Sequence, residues 1–207
     1  MAQILKEEQR KLIITSAINE FLNKGYKDTT MRSIAKNANM TVGNLYRYFS
    51  NKEGIHLFIV GPVLSELNDT LKALTGNTVS MDSNDFNLKP DINELTSTFD
   101  RLADSLVRIY EKHSLEFKMV VKQSGLNSKI IDWFSEIVYS IIDQKYASGM
   151  YEKEKKILSH GYAVSISRGL TDIFLSSSKD VDLRTLTKIY LRSYVVMLDN
   201  DIRKFVD

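Results

Sequence analysis

Between Thr30 and Phe49 the sequence carries two short helical patterns joined by a tight turn, and this stretch constrains the fold more than any other. Thr29 or Thr30 offers a side-chain oxygen to cap the first helix. Ile34, Ala35 and Ala38 recur at helical spacing as its inner face, and the alanines are small enough to let a second helix come close. Asn39 stands where the turn needs a left-handed backbone, which Asn tolerates better than most other non-glycine residues. Met40 can plug the turn from inside, Thr41 can cap the second helix, and Leu45 and Phe49, four apart, face inward. The outer face is then Val42, Gly43, Asn44, Arg47 and Tyr48, with Tyr46 at its edge. This is the pattern of a helix-turn-helix, whose second helix lies in a DNA major groove. Hydrogen-bonding, cationic, aromatic and small side chains suit a surface laid against bases and phosphates. Arg32, Val42, Gly43, Asn44 and Arg47 are the candidates for base or near-base contact. Arg32 suits a guanine edge, Asn44 an adenine edge and Val42 a thymine methyl, while Thr41 and Tyr48 complete the candidate DNA-binding face.

Charge is distributed in the same sense. Residues 1–52 hold nine Lys/Arg against four Asp/Glu, whereas residues 53–207 hold 19 against 22. A polyanion is the natural partner of the first segment, although an excess this small also describes an ordinary solvated surface. The chain has no cysteine, which removes disulfides and thiolate metal sites from consideration. No apolar run is long enough for a membrane span, and the N-terminus lacks the apolar core of a signal peptide. A cytoplasmic protein with no membrane association is expected.

With two prolines and nine glycines in 207 residues, helices are expected throughout. The first should run from about residue 6 to 23 and end at Gly25. A fourth should start near Asn51 and kink or break at Gly61-Pro62. The Asn-, Ser- and Asp-rich stretch 75–90 reads as a long loop. Later helices are expected over 91–112, 114–123, 127–147, 152–177 and 182–205. That makes an all-α chain of about nine helices, divided into a helix-turn-helix domain at 1–52 and a helical domain at 53–207. Phe99, Tyr110, Phe117, Trp133, Phe134 and Tyr139 can wall a pocket for a mostly apolar molecule, with Tyr110, His113, Glu116 and Tyr139 as its polar groups. The same aromatics at helical spacing equally describe packed core. Gly161, Ser165 and Gly169 form a line of small residues where another backbone can approach, either within one subunit or across a twofold axis.

Residues 10–57 resemble the DNA-binding domain of the tetracycline-repressor-like (TetR) regulators. The resemblance rests on Ile14, Ala17, Ile18 and Phe21, then Gly25-Tyr26, Thr29-Thr30, Ile34-Ala35, Leu45-Tyr46-x-Tyr48-Phe49 and Lys52-Glu53. It covers about a quarter of the chain, and the remainder is similar only in length and helical character. Asn39 stands where glycine is common, Asn44 where Thr or Ser is common, and Gly54 opens the fourth helix. The resemblance implies phosphate contacts from Tyr46 and Lys52, with Thr30 adding another. It implies a homodimer on a palindromic operator, formed by the last two long helices in a four-helix bundle. Gly161, Ser165, Gly169, Tyr190, Tyr194 and Met197 are the interface candidates. It further implies a ligand-binding core and a small-molecule effector that releases a repressor from DNA.

Enzyme chemistry finds little support. His56, His113 and His160 lack metal-ligand spacing, and no phosphate-binding glycine loop or nucleophile elbow is present. His113 with Glu116 is the single pairing suited to acid–base work, and Lys153-Glu154-Lys155-Lys156 reads as a solvated helix start. Neither a metal nor another cofactor is expected. Two alternatives to the regulator remain: a helical enzyme with a basic three-helix head, and a helix-turn-helix used for protein contacts.

Overall fold

Helices account for every regular element in the computed structural model, which describes residues 2–75, 92–124, 128–145, 150–178 and 180–199. In chain order they are α1 Ala2–Asp28, α2 Met31–Asn37, α3 Val42–Leu45, α4 Lys52–Thr75, α5 Ile92–Lys112, α6 Ser114–Ser124, α7 Ser128–Lys145, α8 Glu152–Ser176 and α9 Leu183–Asp199. Thr75, expected to open a loop, closes α4, while the rest of that loop, 76–90, the punctuation at Gly125 and Gly149 and the end of the last helix fall outside the described residues.

The first three helices form the N-terminal head around Ile13, Ala17, Ile18, Phe21, Ile34, Ala35, Leu45 and Phe49, all buried. α1 does not simply stop where expected. Gly25 takes φ 81° and ψ 167°, and a last helical turn follows it to Asp28. That left-handed φ is open to glycine without a steric cost. The Thr29 hydroxyl then donates to the Gly25 carbonyl at 2.8 Å, while Thr30 takes the cap of α2. A buried carboxylate ties the head together: Glu20 accepts from Asn37 Nδ2 at 2.6 Å and from Lys24 Nζ at 2.8 Å. The Lys24 ammonium, helped by Ser33 and Asn37, holds the Glu20 carboxyl below the usual range.

A depressed carboxyl contributes stability above its unfolded pKa and loses it as pH falls through the folded one. The thermal midpoint of Glu20→Gln should therefore lie below that of the unaltered chain near neutral pH. The gap should close as pH drops beneath the ordinary carboxylate range of about 4. A gap that stays constant from neutral to acid pH would show that the Glu20 charge contributes nothing. Glu66 and Asp100 are depressed in the same sense, by Lys112 and Arg192 respectively, so both contributions to stability are lost in acid.

α4 leaves the head and enters the rest of the chain without interruption, so the division expected at 52/53 lies in its first turn. The expected break at Gly61-Pro62 is absent: Pro62 sits inside a continuous helix. Proline costs a helix interior about 3 kcal/mol. Here Ile55, Ile59, Val60, Val63 and Leu67 are buried on both sides of it, and their packing offsets that cost. α4 lies against α5 and α6, and α6 also touches α1. α7 packs along α8, and α5 along α9. The α5–α9 seam carries an ionic ladder in which Arg192 forks onto Asp100, and Arg184 and Lys188 both reach Asp104 at 2.9 Å.

The basic start of α8 is not wholly solvated, contrary to expectation. Lys155 is only 5% exposed and pairs with Asp143 of α7 at 2.6 Å. Among the described residues, no helix is long and apolar enough to cross a membrane.

Candidate nucleic-acid interface

Three side-chain caps build the reading element. The Ser33 N–H donates to Thr30 Oγ1 at 3.0 Å and the Thr30 N–H to Ser33 Oγ at 3.2 Å, a reciprocal capping box at the start of α2. Asn39 takes φ 52°, the left-handed turn that its position predicts. The Asn44 N–H donates to Thr41 Oγ1 at 3.2 Å, which caps α3. Met40 packs on the core from the turn. The regular part of α3 is a single turn, and residues 46–48 continue it as turn.

These caps leave a polar, basic face open to solvent. Arg32, Thr41, Gly43, Tyr46 and Arg47 are exposed, and Asn44 is half-exposed. Neither Arg32 nor Arg47 meets a side-chain partner among the described residues. A methyl group added at Gly43 would meet nothing within 4 Å, so the protein's own packing does not require glycine there. The hydroxyls of Thr30 and Thr41 are engaged as caps but keep an O–H to donate.

Three members of the expected face stand differently. Val42 and Tyr48 are half-buried and pack on the core of the head, so neither is presented as a free outer side chain. Lys52 is turned inward: its ammonium donates to the carbonyls of Tyr26, Lys27 and Thr29 at 2.6, 3.3 and 2.8 Å. It also lies 4.3 Å from the Tyr26 ring centroid. Its three N–H groups are thus used within the chain, which conflicts with the phosphate role the resemblance gave it.

The expected aromatic wall is two clusters. Phe99, Trp133 and Phe134 meet in tilted and edge-on contacts at 5.1–6.3 Å between ring centroids. Tyr110 and Phe117 join Phe174, which lies outside the aromatic set expected from the sequence, at 4.8–5.7 Å. Tyr139 belongs to neither: its hydroxyl donates to Glu152 at 2.7 Å on the α7–α8 surface, and that carboxylate pushes the phenol up to about 12. Nor do His113 and Glu116 pair. His113 Nε2 lies 3.1 Å from Glu66 on α4, which Lys112 also reaches at 2.7 Å. An open cleft of about 490 Å³ lies between α4 and α5, lined by Glu66, Arg101 and Arg108 among others, and no ring of either cluster lines it. Among the described residues, no group of three or more His, Asp or Glu could hold a metal ion.

The line of small residues divides. Gly169 faces inward, because a Cβ there would fall 1.9 Å from the Tyr190 hydroxyl. That hydroxyl donates to the Ser165 carbonyl at 2.9 Å and lies 3.1 Å from the Tyr194 hydroxyl, so Tyr190 and Tyr194 seal α8 against α9 within one subunit. Gly161 and Ser165 face outward, beside Ile157 and Val164. On α9, Leu186, Ile189, Val196 and Met197 are exposed in turn.

Comparison with known proteins agrees with this geometry. Residues 13–57 match the family model of bacterial regulatory proteins, tetR family. Over 60 residues the chain is 40% identical to the uncharacterized HTH-type transcriptional regulator YhgD of Bacillus subtilis (strain 168), covering 29% of this chain and 31% of that protein. It is 38% identical over 60 residues to the HTH-type transcriptional regulator HbdR of Aromatoleum sp. (strain CIB), covering 29% and 26%. The matched part thus spans less than a third of those relatives. Two solved structures share the fold over nearly the whole chain. A TetR-family transcriptional regulator from Bordetella parapertussis 12822 has TM-score 0.55 at 15% identity, covering 94% of this chain and 96% of that one. NalD, the secondary repressor of the MexAB-OprM multidrug efflux pump in Pseudomonas aeruginosa, has TM-score 0.52 at 19% identity, covering 93% and 96%.

Proposed function

We propose that this chain, which belongs to the TetR family through its N-terminal head, is a homodimeric transcriptional regulator that binds a palindromic operator and is released by a small-molecule effector. The observation that carries the reading is the open face of the helix-turn-helix. Arg32, Arg47, Tyr46 and Gly43 stand outward around a turn built on left-handed Asn39, in the basic part of the chain. Arg32, Asn44 and Arg47 are the base-reading candidates; Thr30, Thr41 and Tyr46 are placed for phosphates.

Dimerisation would use the outer faces of α8 and α9. Ile157, Gly161 and Val164 lie at intervals of four and three on α8, with Ser165 next to them; on α9 Leu186 and Ile189 are three apart, and Val196 and Met197 lie two turns beyond Ile189. Together they put exposed small and apolar side chains on two neighbouring helices, which suits the pairing of helices in a four-helix bundle. Two heads would then meet major grooves about 34–36 Å apart. An effector would act through α4, since α5 and α6 carry Phe99, Tyr110 and Phe117 and both pack on it. A ligand favouring one packing of α4 changes the spacing of the heads. Nothing in this mechanism calls for catalysis or a cofactor, and it places the protein in the cytoplasm with DNA.

Asn44 gives the direct test. Its side-chain amide meets no partner among the described residues, since only its backbone N–H is used in the cap. Binding-site selection with random duplexes should return a twofold-symmetric motif. Asn44→Ala should lose preference at one position in each half-site, at a cost of about 1–3 kcal/mol per position. An unchanged motif would remove Asn44 from the reading set, and no enriched motif at all would count against sequence-specific binding.

A further inference from the structure

Lys52 is the first residue of α4, and the acceptors of its ammonium all lie in residues 26–30, a short connector made of the last turn of α1 and the two residues before α2. Gly25 turns the chain at φ 81°. The carbonyls of Tyr26, Lys27 and Thr29 follow, and then Thr30, which caps α2. Carbonyls at the end of a helix lack intrahelical partners and carry its negative pole, so a cation there satisfies them electrostatically as well as by hydrogen bonds. Two of the three bonds are partly buried, at 2.6 and 2.8 Å. Turning the ammonium outward to a phosphate would leave those carbonyls unpaired.

We propose that Lys52 is a positioning residue for DNA reading: it rivets the N-terminus of α4 to the 26–30 connector, fixing the angle at which α4 carries α2 and α3. The proposal rests on the DNA-binding reading and assigns Lys52 a role other than phosphate contact. The rivet ties the start of α4 to Thr29, two residues before α2. Because the cap residue Thr30 directly follows Thr29, any tilt of α4 that keeps the three bonds drags the first turn of α2 with it. Ring contacts support the joint from behind: His56, one turn along α4, meets Tyr26 at 5.0 Å and Phe21 at 5.4 Å between centroids.

Two variants separate positioning from phosphate contact. Lys52→Met keeps the stem over Tyr26 and removes the charge. Lys52→Arg keeps the charge but replaces three diverging donors with a planar fork that cannot serve the same three carbonyls. Binding to the selected duplex and to a random duplex is measured over a salt titration, with circular dichroism confirming the fold. Both variants should lose about tenfold or more on the selected duplex, with little change on the random duplex and no change in salt slope. The proposal is overturned if Lys52→Met flattens the slope by about 0.9 per protomer, weakens both duplexes alike, and is rescued by Lys52→Arg. If the unaltered chain binds no duplex, the DNA-binding reading itself fails. Amide exchange then still tests the rivet: α2 amides should exchange at least about tenfold faster in Lys52→Met, and unchanged protection would refute it.

Discussion

Ile189→Asp is expected to turn the proposed dimer into a monomer and to remove tight duplex binding in the same step. Ile189 is 61% exposed at the middle of the α9 stripe, flanked one turn away by Leu186 and Ser193 and backed by buried Leu191 and Val195. Replacing an apolar anchor at a desolvated contact costs about 2 kcal/mol or more, and burying a carboxylate adds to that. In a twofold interface each substitution occurs twice, so the dimer should weaken by about 4 kcal/mol, close to a thousandfold. A monomer presents one head, so operator affinity falls with the dimer because the second half-site contact is no longer intramolecular. The monomer itself should stay folded, since the side chain faces solvent within the subunit. Sedimentation of Ile189→Asp alongside duplex titration checks both halves. A variant that remains dimeric would move the interface off α9.

Gly169→Leu should fail in the opposite way, by damaging the subunit rather than the assembly. Even a Cβ at Gly169 would stand 1.9 Å from the Tyr190 hydroxyl and 2.3 Å from its Cζ. The ring cannot simply swing aside, because its hydroxyl is bonded to the Ser165 carbonyl and it packs edge-on to Tyr194 at 5.3 Å. Burial, with the Tyr194 hydroxyl beside it, pushes the Tyr190 phenol up, so it stays a neutral donor at neutral pH. Overpacking costs about 1–3 kcal/mol, and loss of the Tyr190 bonds adds about 1 kcal/mol each. That outweighs the gain of roughly 1 kcal/mol that any residue makes over glycine inside a helix. The double-mutant form of the test is sharper. In a Tyr190→Ala background, Gly169→Ala should become neutral or stabilising, because the obstacle has gone. If Gly169→Ala destabilises equally with and without the Tyr190 ring, the small residue is needed for something else.

The contrast between these two positions shows what the sequence could and could not convey. Gly161, Ser165 and Gly169 share one spacing, yet the helix turns Gly169 toward α9 and leaves the other two outside. A four-residue interval drifts around a helix of 3.6 residues per turn, so three points in a line do not lie on one contact. Caps and turn were legible because their signals are local: Thr30, Asn39 and Thr41 act within three residues of themselves. The boundaries at 112/114, 152 and 176 were legible for the same reason. Lys52 was not, since its acceptors are backbone carbonyls more than twenty residues away, which leave no side-chain pattern to find. Glu20 with Asn37 and Phe174 with Phe117 are likewise pairs distant in sequence. The break that Pro62 suggested did not occur because the penalty of a helical proline is local, while the burial of Ile59, Val60, Val63 and Leu67 that offsets it depends on α5 and α6.

Dimeric DNA reading is tested most sharply by the stoichiometry and salt dependence of binding to a duplex selected from random sequence. Analytical ultracentrifugation of the complex over a salt titration reads both. Two protomers on one symmetric site are predicted. Two heads making several phosphate contacts each should also produce a steep fall in log affinity with log salt, about 0.9 for every phosphate neutralised. A single protomer per duplex, or affinity that ignores both salt and sequence, would contradict the proposal that this fold is a dimeric reader of DNA.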